Sequence, residues 1–183
     1  KSENPCIRGM KGKRIKALLV NDINLYGYHL PLDVHPELGN NAQLAKLLDI
    51  ENLQPLEKGA VSIPVWGELK EPMTGENFAE KIEKVLNRKP LICIENGPHL
   101  IRKIGICTGG GQGYIDLAAE QGCDAFITGE VSEQTIHSAR EQGLHFFSAG
   151  HHATERYGIK ALGEWLAKEY GFDVEFKDID NPA

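Results

Sequence analysis

Several features that would settle a class outright are missing from this 183-residue chain. Its four cysteines, Cys6, Cys93, Cys107 and Cys123, contain no Cys-x-x-Cys pair and no tight framework, which argues against zinc ribbons and disulfide scaffolds. No apolar run reaches membrane-spanning length and no secretory signal is visible, so the expectation is a cytoplasmic protein without a membrane partner. The net charge is -6 and no long basic run occurs, which disfavours nucleic acid as a partner. A local basic cluster, Lys1, Arg8, Lys11, Lys13, Arg14 and Lys16, reads as a solvated helix face. There is no Gly-x-Ser-x-Gly elbow, and neither Ser132 nor Ser148 has a base at a telling spacing, so a Ser-His-Asp hydrolase is set aside. A lysine-bearing P-loop is absent, and Tyr114 stands where Gly-x-Gly-x-x-Gly would need its last glycine. The chain opens on Lys1-Ser2-Glu3-Asn4-Pro5 rather than methionine, and a longer parent protein is expected.

What is present supports a real core, with 41% hydrophobic and 25% charged residues. Residues 8–20 carry a helical period, and Ile23 to His29 is rich in β-formers and predicts a strand. Pro31, Pro36 and Gly39 mark residues 30–41 as a loop, after which Asn40 or Asn41 is expected to cap a helix through Leu44, Leu47 and Leu48. Residues 50–100 change character, with a strand expected near 61–66, a helix from Thr74 and a strand at 91–95. From Arg102 the alternation is regular: strands at 104–107, 125–128 and 144–148 alternate with helices at 114–121, 132–142 and 151–170, and an edge strand is expected at 174–176. The predicted class is α/β, two-lobed, with mixed sheets flanked by helices. Residues 1–50 would be the remainder of a first α/β lobe, 51–100 an inserted smaller lobe, and 101–183 a second α/β lobe.

The chemistry concentrates where strands turn into helices, the usual ligand edge of α/β sheets. His151 and Glu155 stand four apart, on one face of the last helix, and make a workable half-site for a divalent metal. Asp33 arrives from the other half of the chain, flanked by His29 and His35, though a lone Asp there also suits a turn. One imidazole with two carboxylates favours Fe, Mn, Zn or Mg over copper or an iron–sulfur cluster. Paired metal ions activate water for hydrolysis, but three ligands are too few for two ions, so the chain looks like part of a site. Glu130, at a strand end, and His29 are candidates for acid–base catalysis, while Ser132 with Glu133 and Gln134 is a good helix start in its own right. The run Gly109-Gly110-Gly111-Gln112-Gly113 is either a tight turn or a cradle for an anion, the latter allowing a nucleotide-sensing module.

The segments Leu30-Pro31-Leu32-Asp33-x-His35-Pro36-x-Leu38-Gly39-Asn40-Asn41, Cys107-Thr108-Gly109-Gly110-Gly111-Gln112, Phe126-Ile127-Thr128-Gly129-Glu130 and Gly150-His151-His152-Ala153-Thr154-Glu155 occur in this order. Together they resemble the bacterial YbgI-type proteins, the family named GTP cyclohydrolase 1 type 2 homologues, over essentially the whole chain. That resemblance implies a toroidal homohexamer with a dinuclear metal site in each subunit, the ligands carrying over onto Asp33, His151 and Glu155. It also implies a His-His pair in a His-His-Gly-x-x-Trp motif, which has no counterpart in these residues. The family's names imply opening of a purine-type ring by water, or the handling of damaged nucleotides, as after DNA damage or stress. The expected function is therefore metal-dependent hydrolysis of a nucleotide-related small molecule. The alternative is a non-catalytic hexameric metal-binding scaffold with a stress or partner-binding role.

Overall fold

Ile127 and Phe126, adjacent on one strand, are both fully buried, yet they belong to different cores. Successive side chains on a strand point to opposite faces, so a strand buried on both must lie between two layers of helices. The computed structural model describes residues 5–59 and 61–183 and has this arrangement, with Lys1 of the basic cluster outside the described residues. In chain order the elements are α1 (Gly9–Val20), α2 (Leu30–Asp33), α3 (Asn40–Leu47), β1 (Ile50–Pro55), β2 (Val65–Met73), α4 (Gly75–Leu86), β3 (Leu91–Cys93), β4 (Ile101–Cys107), α5 (Ile115–Glu120), β5 (Ala125–Thr128), α6 (Glu133–Gln142), β6 (His145–Ser148) and α7 (His151–Tyr170).

The strands form one six-stranded mixed sheet in the order β1-β2-β4-β5-β6-β3. Its centre, β4-β5-β6, is parallel, and β2 and β3 flank it antiparallel. The strands of residues 50–93 therefore share a sheet with those of 101–148. One face of the sheet packs Ile104, Ile127 and Phe147 against α3 and α4, and the other packs Phe126 and Phe146 against α5 and α6. The helices begin and end for local reasons. Thr74 caps α4 by accepting the Asn77 N–H at 3.3 Å, and Phe78, Ile82 and Leu86 recur every four residues as its buried stripe. Phe78 meets Phe147 edge to face, ring centroids 5.1 Å apart. Ser132 and Thr135 close a reciprocal cap on α6, which ends at Gly143 in the left-handed region at φ 65°.

Several expectations are corrected. Residues 23–29 form neither helix nor strand, and Ile23, Leu25, Tyr26 and Tyr28 are exposed, because β-forming residues make a strand only where a ladder partner is available. Residues 174–176 likewise add no strand. Within the expected loop 30–41, residues 30–33 make the short helix α2, with Pro31 in its first turn, where a missing N–H costs nothing. The strand expected at 61–66 begins instead at Val65, past Pro64. Among the described residues no helix is long and apolar enough to cross a membrane.

Candidate functional site

The carboxyl ends of β4, β5 and β6 are stitched together by backbone hydrogen bonds. Gly129 and Glu130 N–H both donate to the Gly109 carbonyl, at 2.9 and 3.1 Å, and Gly150 N–H donates to the Gly129 carbonyl at 3.0 Å. Small residues are required here: a Cβ on Gly129 would stand 2.7 Å from both the Gly109 oxygen and the His151 Cα. Two buried threonines lock the glycine loop, Thr154 Oγ1 accepting from Gly109 N–H at 3.0 Å and Thr128 Oγ1 from Gly111 N–H at 3.1 Å. With those N–H groups used internally, the loop is a tight turn and not an open anion cradle at Gly109 or Gly111.

On this scaffold His151 is held from both sides. Its Nδ1 lies 2.6 Å from Glu130 Oε1 and its Nε2 lies 3.1 Å from Glu155 Oε2. Glu130 Oε2 in turn accepts from Gln112 Nε2 at 3.3 Å, so both of its oxygens are engaged. The hydrogen bond to Glu130 raises the His151 imidazole above its ordinary pKa, the Glu155 charge adding to this and burial opposing it. The same hydrogen bond holds Glu130 below the usual carboxylate range. Glu155 is shifted upward, first by burial and then by the charge of Asp33, with His151 opposing. Asp33 is buried in α2 and accepts from Asn40 Nδ2 at 2.6 Å.

His29, Asp33, His151 and Glu155 all line one cleft of about 330 Å³, with Gly110 and Cys107 on its wall. The structure thus brings together the residues singled out from both halves of the chain. Glu130 stands behind His151 and touches the cleft through it. His35 turns away, its Nδ1 accepting the Glu37 and Leu38 N–H groups.

The residues that sequence reasoning missed are Asn40 and Asn41. Gly39 occupies the cap position of α3, and neither asparagine side chain caps the helix. Asn40 Oδ1 accepts from Gly158 N–H on α7 at 2.9 Å while its amide holds Asp33, fixing Asp33 relative to the helix that carries His151 and Glu155. Asn41 Oδ1 accepts from Thr108 N–H at 2.9 Å and its Nδ2 donates to the Ile63 carbonyl at 2.7 Å. The sequence's one signal was the pair itself, since two adjacent asparagines are more than one cap requires; the structure buries both almost fully.

As for a metal, Gly109 lets the backbone pack directly against the pair, since a Cβ there would fall 2.0 Å from Glu155 Oε1 and 3.0 Å from His151 Nε2. The imidazole and carboxylates that line the cleft are donors of the kind a divalent cation takes. Asp33, His151 and Glu155 line it together, and among the described residues no three His, Cys, Asp or Glu side chains stand close enough to hold an ion as they are placed.

Cys107 lines the cleft but is only 3% exposed, and burial, with Asp33 and Glu155 adding, pushes its thiol up to about 12. Burial pushes Cys123 up to about 11. Neither forms appreciable thiolate near neutral pH, which removes a thiol nucleophile from the site. Brief iodoacetamide treatment of the native protein is expected to alkylate exposed Cys6 and spare Cys107 and Cys123. Peptide mass mapping showing Cys107 labelled as fast as Cys6 would contradict this.

Comparison with known proteins gives a consistent result. The profile of the Duf34/NIF3 (NGG1p interacting factor 3) family matches residues 1–182. A Haemophilus influenzae protein named GTP cyclohydrolase 1 type 2 homolog is 97% identical over 183 residues, covering all of this chain and 73% of the relative. An Escherichia coli K12 protein of the same name is 62% identical over 183 residues, covering all of this chain and 72% of that protein. A solved structure described as protein ybgI, of unknown function, superposes with a TM-score of 0.95 at 61% identity, over all of this chain and 72% of its own.

Proposed function

The chain belongs to the Duf34/NIF3 family, and from that premise we propose that it is a divalent-metal-dependent hydrolase acting on a nucleotide-related small molecule, including damaged nucleotides. The observation that carries this is His151, fixed at Nδ1 by Glu130 with Nε2 facing Glu155 and the cleft. A carboxylate on the far nitrogen of a histidine sets its tautomer and ring orientation, the usual support for a metal-ligating imidazole. Glu130 and Glu155 also place two carboxylates against one histidine, with Asp33 lining the same cleft near Glu155, an excess of negative charge that a cation would offset.

His151, Glu155 and Asp33 would hold the metal, the remaining donors of a dinuclear site coming from outside this stretch. When bound, a pair of divalent ions supplies Lewis acidity and an activated water nucleophile. The chain's own residues do the rest. With both oxygens occupied, Glu130 serves as a positioning residue for His151 rather than as the group that exchanges a proton with substrate. His29, exposed on the cleft wall, is free to move a proton at the leaving or attacking atom. Asn40 holds Asp33 in the cleft that Glu155 also lines, and the lack of a side chain at Gly109 leaves Glu155 its place beside His151. A cytoplasmic, hexameric assembly is part of the same proposal.

Assay of a panel of nucleotides and pterin precursors tests this. Metal-dependent turnover that falls roughly 100-fold or more in Asp33→Asn, a substitution that keeps the acceptor for Asn40, supports the hydrolase. Metal binding without any turnover favours instead a non-catalytic hexameric scaffold. The exposed apolar surface of Tyr26, Tyr28, Ile159, Trp165 and Phe172 speaks for that second reading, since such surface marks contact sites.

A further inference from the structure

Just beyond the candidate centre, the start of α7 gathers a group of hydrogen-bond donors, two of them guanidinium groups, that the metal chemistry does not use. Arg156 is anchored from behind, its Nη2 donating to the Leu86 carbonyl at 3.0 Å and to the Tyr157 hydroxyl at 3.3 Å, which leaves Nη1 directed outward. His152 offers both its backbone N–H and its ring Nε2 on the same side. Arg88 packs against the start of the helix, so closely that a Cβ on Gly150 would lie 2.5 Å from its Nε.

Each of these donors is met by an acceptor from the segment 178–183. The Asp178 carboxylate takes Arg156 Nη1 at 3.0 Å on one oxygen and His152 Nε2 at 3.2 Å on the other. The Pro182 carbonyl accepts from Arg88 Nη1, and the Ala183 carbonyl accepts from His152 N–H at 3.2 Å. A carboxylate forked between a fixed guanidinium and an imidazole, beside the positive end of a 20-residue helix, stands in the geometry of a bound oxyanion.

The place is also a cleft, of about 380 Å³, and it shares His151 and Glu155 with the candidate centre. His152, Arg156 and Lys177 line it, Lys177 pairing with Glu175. We propose that this cleft is the phosphate subsite of the small molecule handled at the candidate centre, and that Asp178 is the placeholder which the ligand's phosphate displaces. The assignment rests on the hydrolase reading for the other end of the ligand, but the subsite itself needs no metal. A phosphate brings up to two negative charges and three acceptor oxygens against one charge on Asp178. Asp178 is 40% exposed, so its ion pairs are screened and readily exchanged.

The test is calorimetric titration of inorganic phosphate into the full-length protein stripped of metal with a chelator. Asp178→Asn removes the competing charge while keeping the side-chain shape, and is expected to tighten phosphate binding about tenfold. Adding Arg156→Gln to Asp178→Asn is expected to reverse the gain by at least about tenfold. His152→Gln in the same background gives the same readout should the Arg156 variant lose its circular-dichroism spectrum. Phosphate binding unchanged by Asp178→Asn, absent from it, or unaffected by both second-site substitutions would overturn the proposal. Because metal is absent throughout, failure here is separate from failure of the hydrolase reading, which shows in metal content and turnover.

Discussion

Glu155→Gln is expected to lower divalent-metal affinity by at least about 100-fold while leaving the fold intact. Glu155 is one of the two groups on the His151 side of the cleft, and glutamine keeps its size while removing the charge that attracts a cation. Its carboxyl is held above its usual range chiefly by burial, with Asp33 adding to the shift, so the apo protein gives up little when that charge is removed. The melting temperature should therefore move by no more than about 4 °C, the equivalent of about 1 kcal/mol in a chain of this size. Elemental analysis beside a thermal melt checks both halves. Unchanged metal content in a folded Glu155→Gln protein would remove Glu155 from the ligand set.

Gly109→Ala should damage the site far more than the fold. Gly109 sits at φ +66°, where an L side chain costs about 1–2 kcal/mol, and its new methyl would strike Glu155 Oε1 at 2.0 Å. The carboxylate is the mobile end of a side chain, so it gives way and leaves the position beside His151. The control is Gly122→Ala. Gly122 has nearly the same backbone, φ +70°, but nothing within 4 Å of a Cβ. Both variants should lose about 1–2 kcal/mol in urea unfolding. Only Gly109→Ala should also lose metal, by roughly the same factor as Glu155→Gln. Equal metal binding in the two would mean that the close approach of Gly109 to Glu155 plays no part in the site.

Periodicity exposed some of this and hid the rest. His151 and Glu155 could be paired from the sequence because the helical repeat alone brings residues four apart together. The β4-β5-β6 core was legible because its apolar runs alternate with helical patterns, and burial on both faces demands just such runs. Glu130 could be seen as a polar residue at a strand end, but its partnership with His151 crosses 21 positions and two strand ends, and no local spacing encodes it. Asn40 and Asn41 were masked by a stronger local habit, since asparagine before a helix usually caps it. Their bonds to Gly158 and Thr108, 118 and 67 residues away, exist only once the sheet has formed. Residues 23–29 show the converse failure. Ile23, Leu25, Tyr26 and Tyr28 have the composition of a strand, yet no strand among the described residues pairs with them.

The most direct measurement is metal content per subunit, by elemental analysis of this chain beside a form extended upstream through the His-His-Gly-x-x-Trp segment that the family resemblance implies. The account predicts about two divalent ions in the extended form and about one in this chain, held by Asp33, His151 and Glu155. No metal in either form would contradict the assignment of Asp33, His151 and Glu155.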